Sequence, residues 1–115
     1  MIVALIVCAV ALISVLLCAL FTVSRLIQHQ YQFHRTAWEH DGRPVGYMWR
    51  PPEATWFTSQ FAFHRCALAW PLFTPDWVHG DTVAEALLHR LRWLVLIWNV
   101  GAILLFLWAY TVLIA

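Results

Sequence analysis

Six histidines and three cysteines are the side chains of this 115-residue chain best suited to hold a metal. A zinc site needs about four ligands, arriving in close pairs such as C-x2-4-C or H-x3-5-H. His29 and His34 have four residues between them, and His64 with Cys66 is the only close His/Cys pair. Positions five apart do not share a helical face well, and neither C-x-x-C nor H-E-x-x-H occurs. The spacing predicts no metal ligand set and places the histidines on helix surfaces or at an interface. The alternative is a metal-handling protein that uses His64, Cys66 and other histidines.

Other chemistries meet similar limits. Helical hairpins can hold haem through facing histidines, but neither apolar stretch of this chain contains one, and His89 precedes the second. Cys8 and Cys18 lie in the first stretch and Cys66 lies between the two, so no disulfide framework is expected. Ser59, His64 and Asp76 have the types needed for nucleophilic catalysis, yet no nucleophile elbow or glycine-rich phosphate loop accompanies them. The expectation is no catalytic residue and no cofactor.

The elements that would have to position any such residues are set by charge and hydropathy. The chain is 63% hydrophobic and 11% charged, with a mean hydropathy of +0.71. Soluble domains run at about 45–50% and about 25%, and disorder needs low hydrophobicity with high net charge. Residues 2–23 and 93–115 carry no charged side chain, and every Arg, Asp and Glu lies between them. About 20 apolar residues suffice to cross a hydrocarbon core of about 30 Å. The reading is an all-α membrane protein: transmembrane helices over 1–23 and 93–115, paired as a hairpin and joined by a Trp-rich, partly helical interfacial segment over 24–92. A cleaved signal is not expected, because no basic residue precedes Ile2 and the apolar run is long.

Arg25 and Arg35 follow the first stretch, and Arg90 and Arg92 precede the second. Positive residues near span ends stay on the cytoplasmic side, which predicts a cytoplasmic middle segment with both termini outside. All seven basic residues are Arg, a usage that suggests a GC-rich bacterial genome and hence the inner membrane. A net charge of +1 provides no nucleic-acid footprint.

Within the middle segment, 24–40 lacks proline and glycine and is expected to continue the first helix, with Ile27, Tyr31, His34 and Trp38 on one face. Asp41-Gly42-Arg43-Pro44 should end it. Pro51-Pro52-Glu53 should open a helix over 52–69 that stops before Pro71. Thr82-Val83-Ala84-Glu85 fits a capping box, from which one helix should run to Ala115. Trp38, Trp49, Trp56, Trp70, Trp77 and Trp93 are expected to anchor the chain at the membrane–water interface. Segment 44–80 would then lie on the headgroups or pack under the projecting helices, or else form an aromatic pocket.

Small residues in lipid let helix backbones approach closely. The row Ala4, Cys8, Ala11, Val15, Cys18 and Thr22 is therefore the expected packing face of the first span. Asn99, Ala102, Phe106 and Ala109, beside Gly101, form its counterpart. Asn99 should find a polar partner across a helix interface, leaving Leu5, Leu12, Leu16, Trp98, Leu105 and Trp108 for lipid or another subunit.

Trp56-Phe57-Thr58-Ser59, and the acidic-to-basic approach from Asp81 to Arg90-Leu91-Arg92, resemble stretches of universal stress protein B, a family of small two-pass bacterial inner-membrane proteins. That resemblance implies a free-standing, stress-associated membrane protein and carries no catalytic residues. The layout itself suggests a non-catalytic accessory or assembly subunit of a larger inner-membrane complex, of respiratory or photosynthetic type by analogy. The expected partners are the lipid bilayer and that complex.

Overall fold

The computed structural model describes residues 1–46 and 49–114, and of Trp56 the backbone alone. Helix α1 spans Ile2–Phe33, α2 Arg35–His40, α3 Trp56–Ala69 and α4 Thr82–Ile114, with a short 3-10 turn at Asp76–Val78. Among the described residues there is no strand. The fold is all-helical, and α1 and α4 are both long and apolar enough to cross a membrane.

The 32 and 33 residues of these helices reach about 48–50 Å at 1.5 Å per residue, and the longest dimension of the molecule is 55 Å. Leu12 lies over Gly101, Ala19 and Val23 share a groove with Leu91 and Val95, and His29 reaches Asp81. Ascending positions on α1 therefore meet descending positions on α4, so the helices form an antiparallel hairpin. Its apolar end holds both described termini, and its charged end holds the rest of the chain.

The seam at the apolar end follows the expected row of α1 only in part: Val15 is half-buried and Thr22 buried. Ala4, Cys8, Ala11 and Cys18 are exposed, while Leu5, Ala9, Leu12 and Val15 are half-buried. On α4, Trp98, Gly101, Ala102, Leu105, Trp108 and Ala109 are half-buried, and Asn99 and Phe106 are exposed. Large side chains set into a gap, rather than a small row against a small row, define the contact. A Cβ on Gly101 would come within 2.6 Å of a Leu12 methyl, so the missing side chain is what admits Leu12. Cys8 and Ala11 only edge a shallow apolar groove beside Gly101, Leu105 and Trp108. Asn99 donates to the Val95 carbonyl one turn back, at 2.7 Å. An amide can satisfy its donor on its own helix in this way, which relieves it of an interhelical partner.

The charged end is a small core. Leu26, Ile27, Trp38, Val78, Leu88 and Leu91 are buried, joined by Phe63, Cys66 and Trp70 from α3 and its C-terminal boundary. Trp38 and Trp70 thus belong to the interior and not to an interfacial belt. The Trp38 indole N–H donates to the Pro44 carbonyl at 2.8 Å, so its polar tip is satisfied without water. Trp49 and Trp77 are half-buried, Trp93 is exposed, and the Trp56 side chain lies outside the described residues.

Three local departures from the expected helices matter for the site. First, α1 stops at Phe33: His34 adopts φ −136 and ψ 56, and α2 restarts at Arg35. Second, α3 opens at Trp56, four residues later than proline would allow, because Ser59 Oγ accepts the Thr55 N–H at 2.9 Å and fixes the start there. Third, the cap of α4 is Asp81 in place of Thr82. Its Oδ1 accepts the Ala84 N–H at 3.1 Å, while Glu85 reaches back to the Gly80 N–H at 3.1 Å. After α2 the chain reverses through Gly42 at φ 93 and Arg43 at φ 57. Glycine suits the first of these left-handed positions.

Candidate functional site

Closing the hairpin sets the C-terminal end of α1 beside the N-terminus of α4. There His29 Nε2 and His34 Nε2 each lie 2.6 Å from Asp81 Oδ2. These three ligand-type atoms fall within 4.8 Å of one another. The side chains of His29, His34 and Asp81 are 13%, 28% and 16% exposed, sheltered but not sealed.

Each residue arrives by a distinct local device. His29 rides the regular helix. His34 occupies the residue where α1 breaks, and that break swings its ring away from where a continuous helix would carry it. Asp81 is fixed by its capping bond to Ala84. Ring contacts of 4.8 Å from His29 to Phe33 and 5.1 Å from His34 to Trp77 hold the imidazoles laterally. The Trp77 indole N–H is buried and has no hydrogen-bond partner among the described residues.

The protonation pattern follows from the donor inventory. An ionised carboxylate only accepts, so each Nε2 must carry the hydrogen it donates to Oδ2, leaving each Nδ1 as an acceptor in the neutral ring. Burial pushes the Asp81 carboxyl upward, but hydrogen bonds from His34, His29 and the Ala84 N–H outweigh it. The group is held well below the usual carboxylate range.

A second polar cluster lies nearby. Tyr31 donates to Glu53 Oε2 at 2.7 Å, and the Arg35 guanidinium sits 3.6 Å over the Tyr31 ring. The hydrogen bond from Tyr31 is the main cause that lowers the Glu53 carboxyl. Buried Gln30 donates to Asp41 Oδ2 at 2.7 Å, and Arg92 reaches Thr74 Oγ1 at 2.7 Å. These contacts tie the connecting segments to the two long helices and hold the junction in shape.

The other expected positions do not converge in this way. His64 is exposed while Cys66, two residues on, is buried. Burial is the chief cause that pushes the Cys66 thiol up to about 12, which makes it a poor thiolate ligand. Ser59 is fully buried and engaged with Thr55. Arg25, Arg35, Arg90 and Arg92 all sit at the charged end, the first three exposed.

Sequence reasoning missed the His29–His34–Asp81 cluster because it carried a regular helix through His34 and because Asp81 lies 52 residues from His29 in the chain. The available signal was the H-x4-H spacing together with an acid at the start of the second long helix, which any antiparallel hairpin brings to the same end. Comparison with protein families, curated proteins and solved structures finds no match.

Proposed function

We propose that this chain is a two-pass, non-catalytic protein of the bacterial inner membrane that serves as an accessory or assembly subunit of a larger complex. The observation that carries the reading is apolar surface left uncovered beyond the two long helices. On α3 and the turn after it, Phe57 is 80%, Phe61 74% and Leu72 76% exposed. Contiguous exposed apolar patches mark membrane or protein contact sites. The outward faces of α1 and α4 add Val10, Ile13, Ile103 and Phe106, and lipid is the medium that accepts such faces without cost.

The arginines support an orientation with 24–92 in the cytoplasm and both termini outside, since all seven lie in or beside the charged end. Trp93, exposed at the start of the second uncharged stretch, suits an interfacial anchor. Labelling a cysteine introduced as His40→Cys, in a background lacking Cys8, Cys18 and Cys66, tests this. Modification from the outer side alone reverses the orientation.

Native electrophoresis after mild detergent extraction tests the subunit role. Co-migration with larger partners is the expected result. A sharp species near the mass of the chain or a small multiple of it favours the free-standing, stress-associated protein that the resemblance to universal stress protein B implies.

A further inference from the structure

We infer that His29, His34 and Asp81 bind a divalent first-row transition metal ion at the junction of the two long helices. Two imidazole nitrogens and one carboxylate oxygen, with no thiolate, form a donor set suited to zinc and its neighbours in the series. Three protein ligands leave a further position open to solvent or to a partner's side chain, the pattern of a catalytic or exchangeable metal site.

The geometry is close to what an ion requires. Both Nε2 atoms converge on one oxygen at 2.6 Å. Ligand atoms held about 2.1 Å from a tetrahedral ion lie roughly 3.4 Å apart, so each ring retreats from Oδ2 by less than about 1 Å, and the two ring nitrogens, within 4.8 Å of each other, close to that same spacing. His34 stands at the break between α1 and α2, where a small ring movement disturbs no intrahelical bond. Asp81 is already oriented by the Ala84 N–H on its other oxygen, the kind of outer support that metal-binding carboxylates use.

Solvent reaches the His34 side of the cluster. His34 lines an open groove of about 760 Å³ together with Phe33, Pro75, Asp76 and Trp77. When the ion binds, it takes the Nε2 lone pairs, and the hydrogen on each ring is carried on Nδ1. The two rings then lose their bonds to Oδ2, and Oδ2 turns its lone pair to the ion. No redox step or co-reactant is involved.

The linear distance between the ligands explains why spacing rules pass over the site. Asp81 lies 52 residues from His29, and the fold supplies the convergence. Metal binding here needs no partner complex, so it stands or falls separately from the subunit role.

The full-length protein, purified in detergent and stripped with a chelator, is titrated with Zn²⁺ against a chromophoric competitor, and separately with Co²⁺ under visible spectroscopy. The expected result is one equivalent of Zn²⁺ per chain and an intense Co²⁺ band of low coordination number. His29→Gln and Asp81→Asn should each weaken Zn²⁺ by at least about 100-fold, more than the 10–100-fold typical of losing an outer-shell partner. The Asp81→Asn substitution keeps a side-chain oxygen that can cap Ala84, and matched metal-free melting curves verify that the variants fold. His64→Gln and His89→Gln should leave the affinity unchanged. Absence of wild-type binding tighter than millimolar overturns the inference, as does binding that survives both ligand variants or disappears with His64→Gln. The Co²⁺ spectrum of the unmodified chain decides the matter even if a variant fails to fold.

Discussion

The two ends of the hairpin are built on different physics. At the apolar end α1 and α4 touch along a half-buried seam, and Val10, Ile13, Leu104 and Leu107 face outward. At the charged end, Trp38, Leu26, Ile27 and Leu91 are almost fully buried, and side-chain hydrogen bonds cross from one helix to the other through His29 and Asp81. Water drives apolar groups together at the charged end. In the bilayer that we propose surrounds the apolar end, that force is absent and shape complementarity has to serve. The charged end therefore fixes how the helices meet, and the apolar end offers its outer faces to whatever surrounds it.

The largest blow to this division should come from Trp38→Ala. Removing a fully buried Trp from a core costs about 3–5 kcal/mol, here with loss of the bond to Pro44 as well. Limited proteolysis should then cut between α2 and α3 much faster, while the uncharged stretches of α1 and α4 stay uncut. Equal resistance in wild type and variant would mean that the charged end is not the organising core.

Alkaline pH should weaken the same end. Burial in the folded state pushes the Cys66 thiol from the ordinary 9.0 up to about 12, so the native state retains a proton that the unfolded state releases. The stabilisation is intact below pH 9 and is lost as pH rises toward 12, on the order of a few kcal/mol in all. Denaturant midpoints measured across that range should fall more steeply for wild type than for Cys66→Ala. The same burial predicts that Cys66 resists maleimide at neutral pH until the core opens.

Gly101→Leu probes the seam. A side chain there collides with Leu12, and overpacking costs about 1–3 kcal/mol. Gly101→Ala should be nearly neutral, because the flexible Leu12 terminus can move and alanine gains about 1 kcal/mol of helix propensity over glycine. Crosslinking between cysteines placed at Ala9 and Leu105 reads the effect. It should drop for the leucine variant and persist for the alanine one.

The smallest effect is expected at Asn99. Because its amide donates to Val95 within α4 and is exposed, Asn99→Leu should change hairpin stability by less than about 0.5 kcal/mol, the range of a surface substitution. A loss near 1 kcal/mol by the same crosslinking assay would place a polar partner on Asn99 after all.

Composition and charge pattern were enough to predict two long helices, because hydropathy over a continuous run is a property of neighbouring residues. The stop at Asp41-Gly42 and the end of α3 before Pro71 were legible for the same reason, since turn and breaker chemistry acts within a few residues. The helix that opens at Thr82 was legible as well, although its cap proved to be Asp81. Faces and partners were not legible. Of the expected row on α1, Val15 and Thr22 are covered while Ala4, Cys8, Ala11 and Cys18 are exposed, and Leu5, Ala9 and Leu12 join the seam instead, with Leu12 filling the gap at Gly101. Trp38 and Trp70 had the composition of interfacial anchors, and the carbonyl of Pro44 gave Trp38 a partner inside the core. His34 met His29 and Asp81 only because α1 breaks at that residue and α4 returns alongside. Chain-local chemistry thus determined the two long helices and the stops at Asp41-Gly42 and before Pro71, but not the break at His34 or the start at Trp56. Complementary shapes and side-chain bonds between distant segments decided which residues meet, since those exist only once the hairpin has closed.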